Sequence, residues 1–320
     1  MSPAEVSPRL CESISVIVPV YGCQPCLAEL LARLDRTLRV LSPRFEIILV
    51  DDRSPDDAWR SIISLGATYS ELRAIRLSRN FGQHVAITAG LAAARGDVAV
   101  VMDCDLQDPP ELIAALHKKM TEGYDVVLGR RVSRTHSRFR VWSARAYFWI
   151  LGQVAGEAFD GTYGCFSMLS RKVVDAFLLF TERERHYLFV LRWLGFKTGT
   201  IEYEHAQRVH GRSSYNLRRL VRHALDGLFF QTSAFLEWIV AVGLLFAVGG
   251  VTWALVLFVR YFFYDPPAGF TSLAVALLVS TGSILTSLGI VGLYIGKIFE
   301  HTKNRPIYVV DVTLGDEQPW

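Results

Sequence analysis

The sequence lacks several features that would place a chain in a broad class. No apolar segment stands near the N-terminus, which argues against a cleaved signal peptide. Lys and Arg (34) barely outnumber Asp and Glu (31), and the net charge of +3 is too small to indicate nucleic acid as a partner. The five cysteines are scattered and odd in number, which favours a reducing compartment over a disulfide framework.

Apolar residues are abundant, and their excess lies towards the C-terminal end. They form 51% of the 320 residues, and the mean hydropathy of +0.27 is high for a purely soluble protein. Residues 238–259 and 273–295 carry no charge, and each stretch exceeds the roughly 20 residues that cross a bilayer core of about 30 Å. A buried core helix is the alternative interpretation, but two such stretches in succession favour a transmembrane hairpin.

Basic residues flank both outer sides of this hairpin. They are Arg208, Arg212, Arg218, Arg219 and Arg222 before it and Lys297, Lys303 and Arg305 after it. The positive-inside rule then places both termini in the cytoplasm. Residues 216–230 interleave arginines with apolar residues, which predicts an amphipathic helix on the membrane surface. We therefore expect a multi-pass protein of the inner (cytoplasmic) membrane.

Four parts of the chain follow from these patterns. They are a cytoplasmic domain (1–212), an amphipathic juxtamembrane helix (213–233), a transmembrane hairpin (234–296) and a cytoplasmic C-terminal tail (297–320). The second membrane stretch contains the G-x-x-x-G word of Gly292 and Gly296, which lets helices approach closely in lipid. The sequence thus predicts a homo-oligomer.

The first domain alternates strand and helix patterns. The predicted strands are 14–20, 45–52, 72–77, 97–103 and 124–129, and the predicted helices are 27–41, 83–94, one beginning at Ser54 as N-cap with Pro55 in its first turn, and one beginning at Pro109 or Pro110. Such alternation predicts an α/β fold with a mostly parallel, Rossmann-like sheet and helices on both faces.

Ligands of such sheets bind beyond the carboxyl ends of the strands. Tyr21, Asp51, Asp52, Asp103 and Asp105 all lie at those ends. Asp103 and Asp105 belong to the stretch VMDCDLQDPPE, in which acids follow an apolar run directly. Two carboxylates at this spacing can face one hard cation such as Mg²⁺ or Mn²⁺, and Gln107 adds an amide oxygen. The alternative is a solvated acidic turn that caps the next helix.

The chain resembles the family 2 glycosyltransferases of GT-A fold, in particular the polyprenyl-phosphate glycosyltransferases. The matching words are VPVYG (18–22), VDDRSPD (50–56), RNFGQHVAITAGLAAARGD (79–97), DCDLQDPPE (103–111), YDVVLGRR (124–131), TYGCFSMLSRKVVDAF (162–177), RVHGRSSY (208–215) and GLYIGKIFEHTKNRPIYVV (292–310). They cover nearly the whole chain in the family's order. The resemblance implies a GT-A catalytic domain in residues 1–212.

The resemblance also implies a role for particular residues. The family's metal-binding word is matched by Asp103, Asp105 and Gln107. Positions around the nucleotide-sugar are matched by Pro19, Tyr21, Asp51, Asp52 and Gln83, and basic residues at the donor phosphates by Arg131 and Arg208. The acceptor phosphate binds, in the family, where Arg140 and Ser143 fall. The implied reaction is an inverting transfer from a nucleotide-sugar, with a UDP-sugar as the expected donor, to polyprenyl phosphate.

Other functions stay open at the level of sequence. A processive polysaccharide synthase shares the fold, but its Q-x-x-R-W word is incomplete here, since Phe189 precedes Arg192 and Trp193. Transfer to another lipid acceptor and a catalytically inactive scaffold are further alternatives. Cys23 and Cys26 spell C-x-x-C before a helix, which is a redox pattern. Gly22 and Cys23 also stand where the family usually has Asn-Glu after the tyrosine.

Overall fold

The computed structural model describes residues 13–132, 162–181, 186–204, 269–303 and 305–315, with isolated positions between 248 and 263. The chain divides into two compact units. One comprises Met1–Trp149, Ala158–Ser214 and Pro306–Trp320, and the other comprises Ile150–Glu157 and Tyr215–Arg305. The predicted juxtamembrane helix at 213–233 lies outside the described residues.

An eight-stranded mixed sheet forms the centre of the first unit. Its strands are β1 (Ser13–Val20), β2 (Arg44–Asp51), β3 (Leu72–Leu77), β4 (Val98–Val101), β5 (Val126–Val132), β6 (Tyr163–Ser170), β7 (Thr198–Glu204) and β8 (Val310–Leu314), in the order β7-β5-β6-β4-β1-β2-β3-β8. The run β3-β2-β1-β4 is parallel, as the sequence predicts. Both faces of β1 and β2 are covered, and these two strands are buried along nearly their whole length.

Helices pack on both faces of the sheet. They include α1 (Leu27–Leu41), α2 (Ala58–Gly66), α3 (Gln83–Ala93), α4 (Ile113–Thr121), α5 (Arg171–Leu178) and α6 (Tyr187–Trp193). One apolar core gathers α1, α2 and α4, and the other gathers α3, α5 and α6. Alternate residues of β1 feed the two cores: Val16 and Val18 face the first, and Ile17 faces the second.

The predicted start of the second helix was wrong. α2 begins at Ala58 and not after Ser54. The Ser54 hydroxyl serves another purpose: it accepts a hydrogen bond from the backbone N–H of Gly22 at 2.7 Å and donates to the Asp56 carboxylate. This side chain therefore joins the loops that follow β1 and β2.

The sheet is less parallel than the sequence indicates. β6 runs antiparallel between β4 and β5, while β7 is parallel to β5. β6, β7 and β8 were not predicted from the sequence. β8 pairs antiparallel with β3, with Ala74 opposite Leu314, and Asp311 in β8 forms ion pairs with Arg53 and Arg76.

The second unit contains α7 (Phe270–Thr302), which runs through the second predicted membrane stretch. Several of its described apolar side chains are exposed, among them Leu277, Ile284, Leu288 and Ile295. Over the residues that the structure describes, no helix is long and apolar enough to cross a membrane. Of the first predicted stretch, only isolated positions are described.

Candidate active site

The carboxyl ends of β1, β2 and β4 lie side by side at one edge of the sheet. Val20 stands opposite Asp51, and Ile17 stands opposite Val101, so the segments after these strands emerge together. Pro19 lies in β1, and Tyr21 follows it with half of its surface exposed. The topology thus brings together the acids and the tyrosine that the sequence places at strand ends.

The turn from Asp103 to Asp108 has an alternating pattern of burial. Asp103, Asp105 and Gln107 are half-buried, whereas Cys104, Leu106 and Asp108 are buried. The two predicted carboxylate ligands and the predicted amide are therefore the more accessible residues of this turn. The buried residues between them anchor the turn to the core.

Two acidic turns carry backbone strain. Arg53, with φ at 54°, and Leu106, with φ at 60°, occupy the left-handed region that non-glycine residues rarely adopt. They are the non-glycine residues with positive φ within the described ranges. Each conformation costs on the order of 1–3 kcal/mol, and such strain clusters at functional sites. Both residues directly follow predicted site residues, Asp52 and Asp105, in the chain.

Asp103 contacts residues from two other segments. Its Oδ1 accepts a hydrogen bond from Gln83 Nε2 at 2.6 Å, and its Oδ2 lies 3.6 Å from Arg131 Nη2. Asp105 accepts the backbone N–H of Gln107 at 3.2 Å. Gln83, Asp103 and Arg131, which lie far apart in the sequence, therefore meet at one point.

The two acids after β2 are buried and hold neighbouring backbone. Asp51 accepts the N–H of Ser54 at 2.8 Å, and Asp52 accepts those of Phe81 and Gly82 at 2.7 and 2.8 Å. Burial raises the pKa of both carboxyls above the ordinary value, and the backbone hydrogen bonds oppose that rise. Asp52 thereby fixes the entry to α3, whose first residue is Gln83.

The absence of a disulfide was a wrong expectation. Cys23 and Cys104 are joined, with their Cα atoms 6.4 Å apart. The physical reason is topological: β1 and β4 are adjacent parallel strands, and each cysteine stands three residues beyond the end of its strand. Cys26 is a buried free thiol, and burial raises its pKa. The C-x-x-C pair is therefore not a disulfide pair in this structure.

Removal of the Cys23–Cys104 bridge should lower the thermal midpoint by about 10 °C. In the chain-entropy model, a bridge over a separation of 81 residues stabilises a fold by on the order of 4 kcal/mol. At this domain size, each kcal/mol shifts Tm by about 2–4 °C. The measurement is calorimetry of the Cys23→Ser/Cys104→Ser double variant.

The matched control for this prediction is dithiothreitol. It should lower the Tm of the unmodified chain and leave that of the double variant unchanged. An equal response of both proteins, or alkylation of Cys23 before reduction, would contradict the bridge.

Three predicted site residues remain outside this geometry. Arg140, Ser143 and Arg208 lie outside the described residues. Within the described ranges, no group of three or more His, Cys, Asp and Glu side chains is arranged to hold a metal ion. The carboxylates of Asp103 and Asp105 with the Gln107 amide fit Mg²⁺ or Mn²⁺ by donor chemistry, because these ions usually bind one or two protein carboxylates and complete their shell with phosphate or water.

A family model decides the class of this protein. The model described as glycosyl transferase family 2 matches residues 15–178, which is over half of the chain and includes most of β1, all of β2–β6 and both acidic turns. The chain belongs to glycosyl transferase family 2.

Curated relatives of this family 2 chain match it nearly from end to end. An uncharacterized glycosyltransferase of Synechocystis sp. is 33% identical over 95% of this chain and 96% of its own length. The undecaprenyl-phosphate 4-deoxy-4-formamido-L-arabinose transferase of Proteus mirabilis is 33% identical over 96% of this chain and 95% of its own length. Other bacteria, among them Yersinia enterocolitica and Pseudomonas fluorescens, have relatives of the same name with similar coverage.

Solved structures resemble this chain at lower sequence identity. The glucosyl-3-phosphoglycerate synthase of Mycobacterium tuberculosis, in complex with Mn²⁺, UDP and phosphoglyceric acid, is 18% identical, with a TM-score of 0.49. The match covers 69% of this chain and 78% of that one.

Sequence reasoning missed several residues of the site. It recognised Asp108 in the acidic word without giving it a role, and it did not single out Tyr203 or Gly164. Asp108 accepts the Tyr203 hydroxyl, and Arg131 lies against both. Only the pairing of β5 with β6 and β7 brings these residues together.

Proposed function

We propose that this chain transfers a sugar from a nucleotide-sugar to polyprenyl phosphate, with inversion at the anomeric carbon. The observation that carries the proposal is the end-to-end match, at 33% identity, to undecaprenyl-phosphate sugar transferases. Because the match includes the stretches beyond the catalytic family domain, it covers the parts of the chain in which an acceptor site would differ between subfamilies.

The donor half of the site is assigned to the strand ends. Pro19, Tyr21, Asp51 and Asp52 surround the nucleotide in this proposal, and Gln83 is placed where it touches Asp103. Asp103, Asp105 and Gln107 would hold Mg²⁺ or Mn²⁺. A divalent cation bound there supplies positive charge that offsets the charge of the departing diphosphate.

Arg131 lies beside Asp103, with its Nη2 3.6 Å from the carboxylate. Asp108 and Asp103 help to keep this guanidinium charged, although burial opposes the charge. Arginine presents paired N–H donors that match phosphate oxygens. We assign Arg131 and Arg208 to the diphosphate and Arg140 and Ser143 to the acceptor phosphate.

The acceptor removes the need for a general base. An alcohol loses a proton during glycosyl transfer and requires a base, but a phosphate monoester already carries negative charge near pH 7. The protein has to position the phosphate and offset its charge, which arginines accomplish.

The proposed location is the cytoplasmic membrane, because a polyprenyl acceptor resides in lipid. The exposed apolar side chains of α7, such as Leu277 and Ile284, fit a lipid-facing surface. Among the residues that the structure describes, a Cβ added at Gly292 or Gly296 would meet no atom within 4 Å. A homo-oligomer through this word stays a prediction.

The decisive experiment uses purified full-length chain in detergent with undecaprenyl phosphate. A panel of UDP-, GDP- and dTDP-sugars is tested, and the lipid product is read by mass spectrometry. We expect one donor class to yield a glycosyl phosphate lipid of one sugar. Product on diacylglycerol or ceramide but not on the lipid phosphate would overturn the acceptor, and a polymeric product would favour a processive synthase.

A further inference from the structure

A buried polar cluster lies directly beneath Asp103. It consists of Asp108, Tyr203 and Arg131, and it joins the acidic turn to β5 and β7. The Tyr203 hydroxyl donates to Asp108, and Arg131 Nε donates to the Tyr203 oxygen at 3.2 Å. Arg131 Nη2 lies 3.4 Å from Asp108 Oδ1 and 3.6 Å from Asp103 Oδ2. One guanidinium thus spans a buried anchor and a predicted metal ligand.

The protonation states make this cluster a directed chain of hydrogen bonds. Burial and the neighbouring Asp108 raise the pKa of Tyr203, so its hydroxyl stays protonated and donates to the carboxylate. The Tyr203 oxygen is then available to accept the Arg131 Nε–H. Asp108, which is fully buried, is thereby satisfied by the hydroxyl on one side and the guanidinium on the other.

Two glycines make room for this arrangement. A Cβ at Gly164 would stand 2.5 Å from Arg131 Nη2, and a Cβ at Gly129 would stand 2.9 Å from the Tyr203 ring. Both distances are too short for a real contact. The guanidinium therefore lies against bare backbone of β6, and the Tyr203 ring fits between β5 and Phe166, with which it makes an edge-to-face contact.

We propose that Tyr203 and Asp108 are positioning residues for the transfer reaction, which hold the Arg131 guanidinium beside Asp103 so that it faces the leaving diphosphate. The proposal rests on the proposed function. An arginine side chain has several rotatable bonds and loses conformational entropy when it is held in one orientation. Here Tyr203 and Asp108 hold it before any substrate binds, so that cost does not fall on the reaction.

A second buried network in the same sheet provides an internal comparison. Ser15 donates to Glu46 at 2.6 Å, and Glu46 pairs with Arg73. The chemistry is the same: a buried hydroxyl, a buried carboxylate and an arginine. This network lies near the amino ends of β1, β2 and β3, at the opposite end of the strands from the candidate site. It stabilises the fold without access to substrate.

The first test is Tyr203→Phe, which removes the hydroxyl and keeps the ring. We expect kcat to fall about ten- to a hundredfold, because small misplacements of a catalytic group have effects of that size. The KM for the lipid acceptor should change less than about twofold. Ser15→Ala is the matched control: it should lower Tm and leave kcat unchanged.

A double-mutant cycle tests whether Tyr203 acts through Arg131. Arg131→Lys removes the guanidinium that Tyr203 positions. In this background, Tyr203→Phe should therefore have little further effect on kcat. Additive losses would overturn the proposal. Ser15→Ala combined with Arg131→Lys should show no coupling.

Gly164→Ala perturbs the guanidinium from its other side and leaves Tyr203 and Asp108 intact. It should lower kcat in the same direction as Tyr203→Phe, which keeps the proposal testable if the Phe variant folds poorly. Unchanged kcat in a folded Gly164→Ala variant and in a folded Tyr203→Phe variant would overturn it.

A binding measurement separates this proposal from the proposed function. The affinity for UDP with Mn²⁺ is measured by calorimetry for the same set of variants. Coupling between Tyr203 and Arg131 in this affinity would support the positioning role even if the unmodified chain transfers no sugar to polyprenyl phosphate. Additive effects on the affinity, or an unmodified chain that binds no UDP and shows no transfer, would overturn it.

Discussion

Asp103→Asn and Asp105→Asn should each reduce transfer by about a thousandfold or more and leave the protein folded. A charged metal ligand contributes several kcal/mol to a transition state that gains negative charge on the diphosphate, and each 1.36 kcal/mol is a factor of ten in rate. The substitutions conserve shape. An Asn oxygen can still accept the Gln83 amide at position 103 or the Gln107 N–H at position 105.

The measurement combines initial rates with circular dichroism and a metal titration. Chelation with EDTA should inactivate the unmodified chain, and added Mn²⁺ or Mg²⁺ should restore it. Asp97→Asn is the matched control, because Asp97 precedes β4 at its other end and accepts hydrogen bonds from Ser13. That variant should change Tm and keep its rate. Full turnover in chelator would refute the metal site.

Transfer should require the acceptor phosphate and should follow its second ionisation. The second pKa of a phosphate monoester is about 6, so the rate should rise roughly tenfold per pH unit below that value and level off above it. The rate rises with pH because the phosphate dianion, which forms as the pH passes this pKa, is the nucleophile. His186 does not contribute to this rise, because burial lowers its pKa to about 4 and it is neutral near pH 6.

Polyprenol without phosphate should give no product at any pH, since no side chain is assigned to remove its proton. Donor hydrolysis, measured without acceptor, corrects for effects of pH on the donor site. Efficient transfer to polyprenol would refute the direct attack by phosphate. An essential carboxylate outside the metal site would refute it as well. Asp160 would be such a residue if its amide variant bound donor and metal normally but transferred no sugar to the ionised acceptor.

Local periodicity was sufficient to predict much of the parallel half of the sheet. α1 and β3 have the predicted bounds. Five buried leucines recur at helical spacing in α1, and β3 is a short segment whose apolar residues are interrupted by two arginines. β7 and β8 were missed for the opposite reason. Their sequences, TGTIEYE and VDVTL, carry acids and threonines on exposed positions and resemble surface loops.

The parts of the candidate site that depend on contacts between distant residues could not be predicted from the sequence. The acids at strand ends could be found because an α/β pattern fixes where those ends meet. The pairs Cys23–Cys104 and Asp108–Tyr203 are separated by 81 and 95 residues, and neither member carries a local signal. For the disulfide, the equal offset of three residues beyond adjacent strands appears only with the observed end of β4 at Val101, since the predicted strand ran on to residue 103.

The position of β8 has a consequence for how the protein is made. β3 is synthesised early, but β8, its outer neighbour in the sheet, follows α7. Ala74 pairs with Leu314, which is synthesised 240 residues later. Until then the nascent sheet exposes the N–H and C=O groups of β3, and open strand edges invite wrong pairing. Correct maturation therefore depends on how quickly translation delivers the last strand, and slow codons between α7 and β8 should increase aggregation.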